Sequence, residues 1–215
     1  MKKKRRIKVW PIVTLVVIVL FTLMIFCLKD IYKILKNNGQ NEVNILSEIP
    51  AYGYTLNEND SEYFGKLFKE LKGLLESSDH NEKEYANLVG KLFLVDFYSL
   101  NSAINKNDIG GTQFVWKDYQ SDFTNKAKTS VYAYVENNIY GDRKQELPTV
   151  TEASIVSSKQ QQIQFSDIKV DDEEGYVVTV ELVYAKDLGY PNKIELMLVH
   201  NDQKLEIAQV KTVEE

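Results

Sequence analysis

Tyr176-Val177-Val178-Thr179-Val180-Glu181-Leu182-Val183-Tyr184 is the stretch on which the fold turns. Tyr176, Val178, Val180, Leu182 and Tyr184 share one face, and Val177, Thr179, Glu181 and Val183 the other, a period of two that specifies a half-buried strand. Downstream, Ile194, Leu196 and Leu198 repeat the pattern, Asn201-Asp202 supplies a hairpin turn, and residues 205–213 form the last strand. Upstream, the acidic turn Asp171-Asp172-Glu173-Glu174-Gly175 follows two further strands, 149–157 and 161–170, separated by Ser158-Lys159-Gln160. Before Pro148 the period becomes helical. Phe64, Leu67, Phe68, Leu71, Leu74 and Leu75 make one apolar stripe behind a cap at Asp60 or Ser61. Asp79 and Glu82 have the spacing of a capping box for a second helix, 81–104, apolar around most of its circumference and therefore central. A third helix, 118–137, carries Tyr119, Phe123, Ala127, Val131 and Tyr134 on one side. Three helices followed by strands predict an α+β domain over 60–215, the helices packed on a curved four- to five-stranded antiparallel sheet.

At the other end of the chain, residues 9–28 are an uncharged apolar run, VWPIVTLVVIVLFTLMIFCL. As a helix it would be about 30 Å long, the thickness of a bilayer's hydrocarbon core. A cleaved signal peptide would need a shorter apolar region and small residues at its end, and Ile25-Phe26-Cys27-Leu28 offers none. A lipidated Cys27 would need a small residue where Phe26 stands. The run reads as an uncleaved transmembrane helix. Lys2, Lys3, Lys4, Arg5, Arg6 and Lys8 precede it without an acid among them, which holds the 1–8 tail in the cytoplasm and sends the C-terminal domain outside. Residues 29–59 read as a juxtamembrane spacer, with two helical turns up to Lys36, a break at Asn37-Asn38-Gly39 and an extended piece near Ile49-Pro50-Ala51-Tyr52.

Composition excludes several functions. Setting the six N-terminal cations aside leaves 20 basic against 31 acidic residues, a net charge of −11, and a surface of that sign is unsuited to gripping nucleic-acid phosphates. The single cysteine lies inside the apolar run, so the outer domain contains no disulfide. Two histidines, His80 and His200, without thiols give no zinc or haem pattern. Cofactor and metal are therefore both expected to be absent.

Few residues invite chemistry. Asp96 stands within the apolar Leu92-Phe93-Leu94-Val95-Asp96-Phe97-Tyr98, where burial would raise its pKa and make it a candidate base; a structural acid at a helix edge or paired with a lysine is the plainer account. His80, in a Ser-Asp-His-Asn turn, is expected to be exposed and inert. Gly110-Gly111 is followed by no Gly-Lys-Ser/Thr and reads as a turn rather than a phosphate loop. Arg143, the one arginine outside the tail, is a candidate bidentate contact or a solvated turn residue. The aromatic-rich 112–119 segment suits a core or an interface, and the last strand, if it lies at a sheet edge, can accept a partner's strand. No catalytic residue is assigned.

The order of these elements resembles the nuclear-transport-factor-two-like fold, in which helices pack into the concave face of a curved antiparallel sheet. With the cytoplasmic tail and single span, the chain resembles the bitopic scaffold subunits of type IV secretion and conjugation systems. The resemblance lies in topology over 9–213, with no residue motif carried across. It implies a single-pass, non-enzymatic scaffold or protein-interaction domain of a bacterial cell envelope, with other envelope proteins, the bilayer and a second copy of the chain as partners. An extracytoplasmic small-ligand binding or sensing domain is the alternative, favoured by a pocket of roughly 300 Å³ or more with polar walls. An enzyme using Asp96 stands third.

Overall fold

In the computed structural model residues 44–166 and 170–213 are described. The basic tail, the apolar run 9–28 and the first part of the spacer lie outside them. Among the described residues, no helix is long and apolar enough to cross a membrane.

The domain is α+β, with three helices and a four-stranded antiparallel sheet. The order of that sheet is β3 (Val150–Gln160), β6 (Tyr176–Tyr184), β7 (Lys193–Asn201) and β8 (Lys204–Thr212), each labelled by its place in the chain. β6 is an inner strand, and its alternation holds in the main: Tyr176, Val178, Val180 and Leu182 are buried and Glu181 and Val183 exposed, but Thr179 on the outer face is also buried, its hydroxyl accepting from Ser157 Oγ, and Tyr184 is half-buried. Its register sets Tyr176 against Leu198, Val178 against Leu196 and Val180 against Ile194, so one apolar face runs across two strands. β7 and β8 are joined by a two-residue turn in which Asp202 adopts φ 55°, a left-handed conformation that such hairpins require.

Two short ladders flank this sheet. β1 (Ile45–Ile49) pairs with β2 (Tyr54–Asn57), so from Asn44 onward the presumed spacer is a hairpin, with Tyr54 fully buried in the main core. β4 (Ile163–Phe165) pairs with β5 (Val170–Asp172). The expected strand 161–170 is thus not a fifth sheet strand. β3 instead runs unbroken through Ser158-Lys159-Gln160, and the chain after it folds back on itself. Ile163 and Val170 pack there with Val199 in a second, smaller cluster that includes Trp116, Phe165 and Met197.

α1 (Glu62–Leu75) starts where its cap predicts, with Ser61 Oγ accepting from Phe64 N at 3.1 Å. It buries Phe64, Leu67, Phe68 and Leu71. α2 (Glu82–Tyr98) is the central helix, with apolar burial on nearly every side from Tyr85 to Tyr98. Its cap is Asn81, whose Oδ1 accepts from Glu84 N, rather than an Asp79–Glu82 box. It stops at Ser99, which turns out of the helix to bond Val150 N of β3.

α3 (Gln120–Thr129) is about half as long as the helical pattern predicts. Thr129 and Ser130 hydroxyls bond back to Asn125 and Lys126 carbonyls, and the chain turns so that Tyr132 enters the core. The Tyr132 hydroxyl donates to Phe97 O at 2.8 Å and accepts from Gly110 N at 3.1 Å. A continued helix would have carried Tyr132 away from these partners.

Candidate functional site

Asp96 has neither lysine partner nor open cleft. It is half-buried beneath the Gly110-Gly111 loop, and its Oδ2 accepts from Gly111 N at 2.7 Å. Both glycines are there for close approach. A Cβ at Gly110 would collide with the Asp96 carbonyl, and one at Gly111, where φ is +77°, would meet the Phe93 ring at 2.8 Å. Burial, then the charges of Asp60 and Asp108, push the Asp96 carboxyl up to about 7 against the pull of the Gly111 N–H. Asp60, itself held up at about 6 chiefly by burial, accepts from Asn57 N at 2.6 Å, and Asp108 accepts from Ile104 N at 2.9 Å. These carboxyl groups brace loops. Among the described residues no group of three or more His, Cys, Asp or Glu side chains is arranged to hold a metal ion.

Arg143 is half-buried, and its guanidinium bonds backbone carbonyls of its own chain. Its Nη1 donates to Ala103 O at 2.8 Å and its Nη2 to Asn101 O at 2.6 Å, with a longer bond to Glu136 O. It staples the 130–147 loop to the turn that follows α2. His80 is half-buried and lies edge-on to Tyr85, with ring centroids 6.0 Å apart. In the 112–119 segment, Phe114 is core and Trp116 joins the smaller cluster.

His200 forms a constellation that its sequence neighbours do not announce. Its Nδ1 lies 2.8 Å from Asp172 Oδ2 and its Nε2 2.9 Å from Glu82 Oε1, tying β7 to β5 and to the first turn of α2. Carboxylate oxygens only accept, so both contacts are hydrogen bonds at once only when the ring is an imidazolium. Burial works against that charge, but the bonds to Glu82 and Asp172 and their fields outweigh it and raise the His200 pKa. Asp172 is lowered: burial would lift it, but His200 and Glu174 N–H groups and the His200 ring more than compensate. Both ring nitrogens are engaged, and the Tyr176 hydroxyl donates to the other Glu82 oxygen at 3.2 Å, so the cluster clamps β5, β6 and β7 to the start of α2.

Among the described residues, a groove of about 510 Å³ between α2, α3 and β8 could receive another molecule. Phe93, Phe97 and Phe123 form one side, their ring centroids 5.2 to 5.8 Å apart, and Phe165 and Val210 stand across from them. Asp122, Lys126 and Gln209 supply polar points at the rim. Phe93 and Phe97 are one turn apart on α2, so the sequence shows them as a pair; their meeting with Phe123 is decided by the turn at Gly110-Gly111.

The groove runs beside an edge strand. β8 is the outermost strand of the main sheet, and the two halves of its free edge differ. In the first half Tyr85 Oη accepts from Leu205 N at 3.1 Å, Tyr54 Oη donates to Leu205 O at 3.1 Å, and Trp116 N donates to Ile207 O at 2.9 Å. Buried Glu206 secures this half, accepting from Lys117 N and Asn201 Nδ2 with Lys204 Nζ at 3.4 Å. In the second half Val213 N donates inward to Lys193 O. Antiparallel alternation then turns Gln209 and Lys211 toward β7, and Val210 and Thr212 outward. The outward N–H and C=O of Val210 and Thr212 have no partner among the described residues, and Val210 remains 38% exposed.

No family model, curated protein or solved structure matches this chain.

Proposed function

We propose that this chain is a single-pass membrane protein whose extracytoplasmic domain binds other envelope proteins without catalysing a reaction. The observation that carries the reading is the apolar groove lying along the unpaired half of β8, a strand edge with main-chain groups free to pair. Asp96 and Asp60, the two carboxyl groups raised toward neutrality among the described residues, do not line the groove, and each spends an oxygen on a backbone N–H, of Gly111 and Asn57. The apolar run 9–28 with its six preceding cations supports the tether and its orientation. Helices on one antiparallel sheet keep the likeness to nuclear-transport-factor-two-like scaffolds of secretion channels as part of this proposal, the curvature of the sheet included.

Site-specific photo-crosslinking tests the reading. A photoreactive residue at position 126, in intact cells making the full chain, should give a discrete adduct with another envelope protein, and one at exposed Glu70 should not. Equal labelling at both positions, or none at 126, would sink it. External protease should digest the domain and spare the N-terminal tail; a protected domain would reverse the orientation. A small-ligand reading has one observation in its favour, since about 510 Å³ exceeds the roughly 300 Å³ needed for a drug-sized molecule. Metabolite-sized compounds that raise the melting temperature would favour it.

A further inference from the structure

The open half of β8 is short, one-sided and charged at its rims, and these features together describe what it would take. Residues 208–212 span about 17 Å of strand, enough to pair with about five residues of another chain. The protein already uses this mode on the first half of the same edge. Val115 forms a parallel bridge with Ile207, Trp116 N bonds Ile207 O, and the Val115 side chain faces the groove. The segment then leaves the edge, and the outward main-chain groups of Val210 and Thr212 beyond it have no partner among the described residues.

Two cations flank this vacated stretch. Lys211 follows Val210 on β8, and Lys126 stands on α3 across the groove; both are exposed and neither has an ion-pair partner among the described residues. Asp122, one helical turn earlier, is the only acid among the described residues that line the groove. Lys211 lies opposite Glu195 in the β7–β8 ladder, so its side chain stands on the sheet face away from Val210 and Lys126. We infer that the open half of β8 accepts, as an added strand, an extended segment of another protein with an apolar side chain for the groove and, alternating with it on the other face, an acidic residue for Lys211. This rests on the protein-binding reading above and names its partner's chemistry. A second copy of β8 is a poor occupant. If Val210 and Thr212 exchanged bonds with their counterparts, Lys211 would lie opposite Lys211 of the other copy, and like charges directly opposite are destabilising.

The probe is a fluorescein-labelled peptide in which Val alternates with Glu, titrated into the full chain in detergent and read by anisotropy. Binding should weaken roughly fivefold when Lys replaces Glu in the peptide. N-methylation of the peptide's central amides should weaken it by about as much, one hydrogen bond's worth or more. Lys211→Glu should reverse the preference between the Glu and Lys peptides. Val210→Pro should lower affinity about fivefold with little change in melting temperature, because the lost N–H points away from β7. If that variant fails to fold, the N-methylated peptide removes the same bond from the other side. Failure of the Val–Glu peptide to bind the folded chain, indifference to its charge or N-methylation, or dimerisation through β8 would each overturn the inference. An adduct at position 126 that survives such a failure would leave protein binding standing and remove only strand addition.

Discussion

Burial and the neighbouring charges of Asp60 and Asp108 make Asp96 easier to protonate in the folded domain than in the unfolded chain. Its pKa rises from 3.8 to about 7, so the native state binds the proton more tightly. Its contribution to stability is therefore complete below about pH 4 and is lost as the pH rises through 7. Asp96→Asn keeps an oxygen for Gly111 N and removes the charge. The variant should match the wild type near pH 4 and exceed it increasingly up to pH 7 and above, by on the order of 2 kcal/mol, in urea unfolding at a series of pH values. A variant less stable than wild type at pH 8 would contradict this account. His200 acts in the same direction by a different cause. Its raised pKa means that the clamp is fully formed below about 6.5 and released as the pH climbs through the raised value. His200→Gln should flatten the melting curve's pH dependence above 6.5, costing about 1 kcal/mol at pH 6 and little at pH 9. An unchanged slope would mean that Glu82 and Asp172 do not hold the ring.

At the scale of elements, the loop after α3 owes its shape to polar side chains rather than to apolar packing alone. Arg143 bonds three carbonyls, and Gln145 bridges Glu136 N and Tyr134 O. Lysine offers one ammonium where the guanidinium has a planar fork. Arg143→Lys should therefore cost about as much as Arg143→Ala, on the order of 2 kcal/mol, in chemical unfolding; full rescue by lysine would show that charge alone matters. The helix that stops early and the strand that never joined the sheet share one explanation. In both places a local pattern allowed the longer element, and a distant partner was worth more: Phe97 O and Gly110 N for Tyr132, Val199 and Trp116 for the β4–β5 hairpin.

For the whole molecule, Asp60, Asp96 and His200 all lose stability on alkalisation, whereas Asp172, with a lowered pKa, loses it in strong acid. Residues 44–215 alone should fold and melt at their highest temperature on the acid side of neutrality, with no response to chelator or reductant, since the chain's one cysteine, Cys27, lies outside them. Chelator sensitivity would argue against the metal-free fold. The amino-acid sequence by itself determined the α+β class, most of the alternation of β6, the central place of α2 and a cap at Asp60 or Ser61, because each depends on periodicity or on contacts within four residues. It also contained the open last strand as a conditional, waiting on the strand order. Only the tertiary structure decided that β8 is the edge, that Tyr54 and Tyr85 seal one half of it, and that three phenylalanines meet beside the other half. Tertiary structure likewise decided that His200 finds Glu82, 118 positions away, and Asp172, 28 away. Those pairings are long-range, and their free energy comes from burial and hydrogen bonds that exist only once distant segments have been brought together, so no local pattern encodes them.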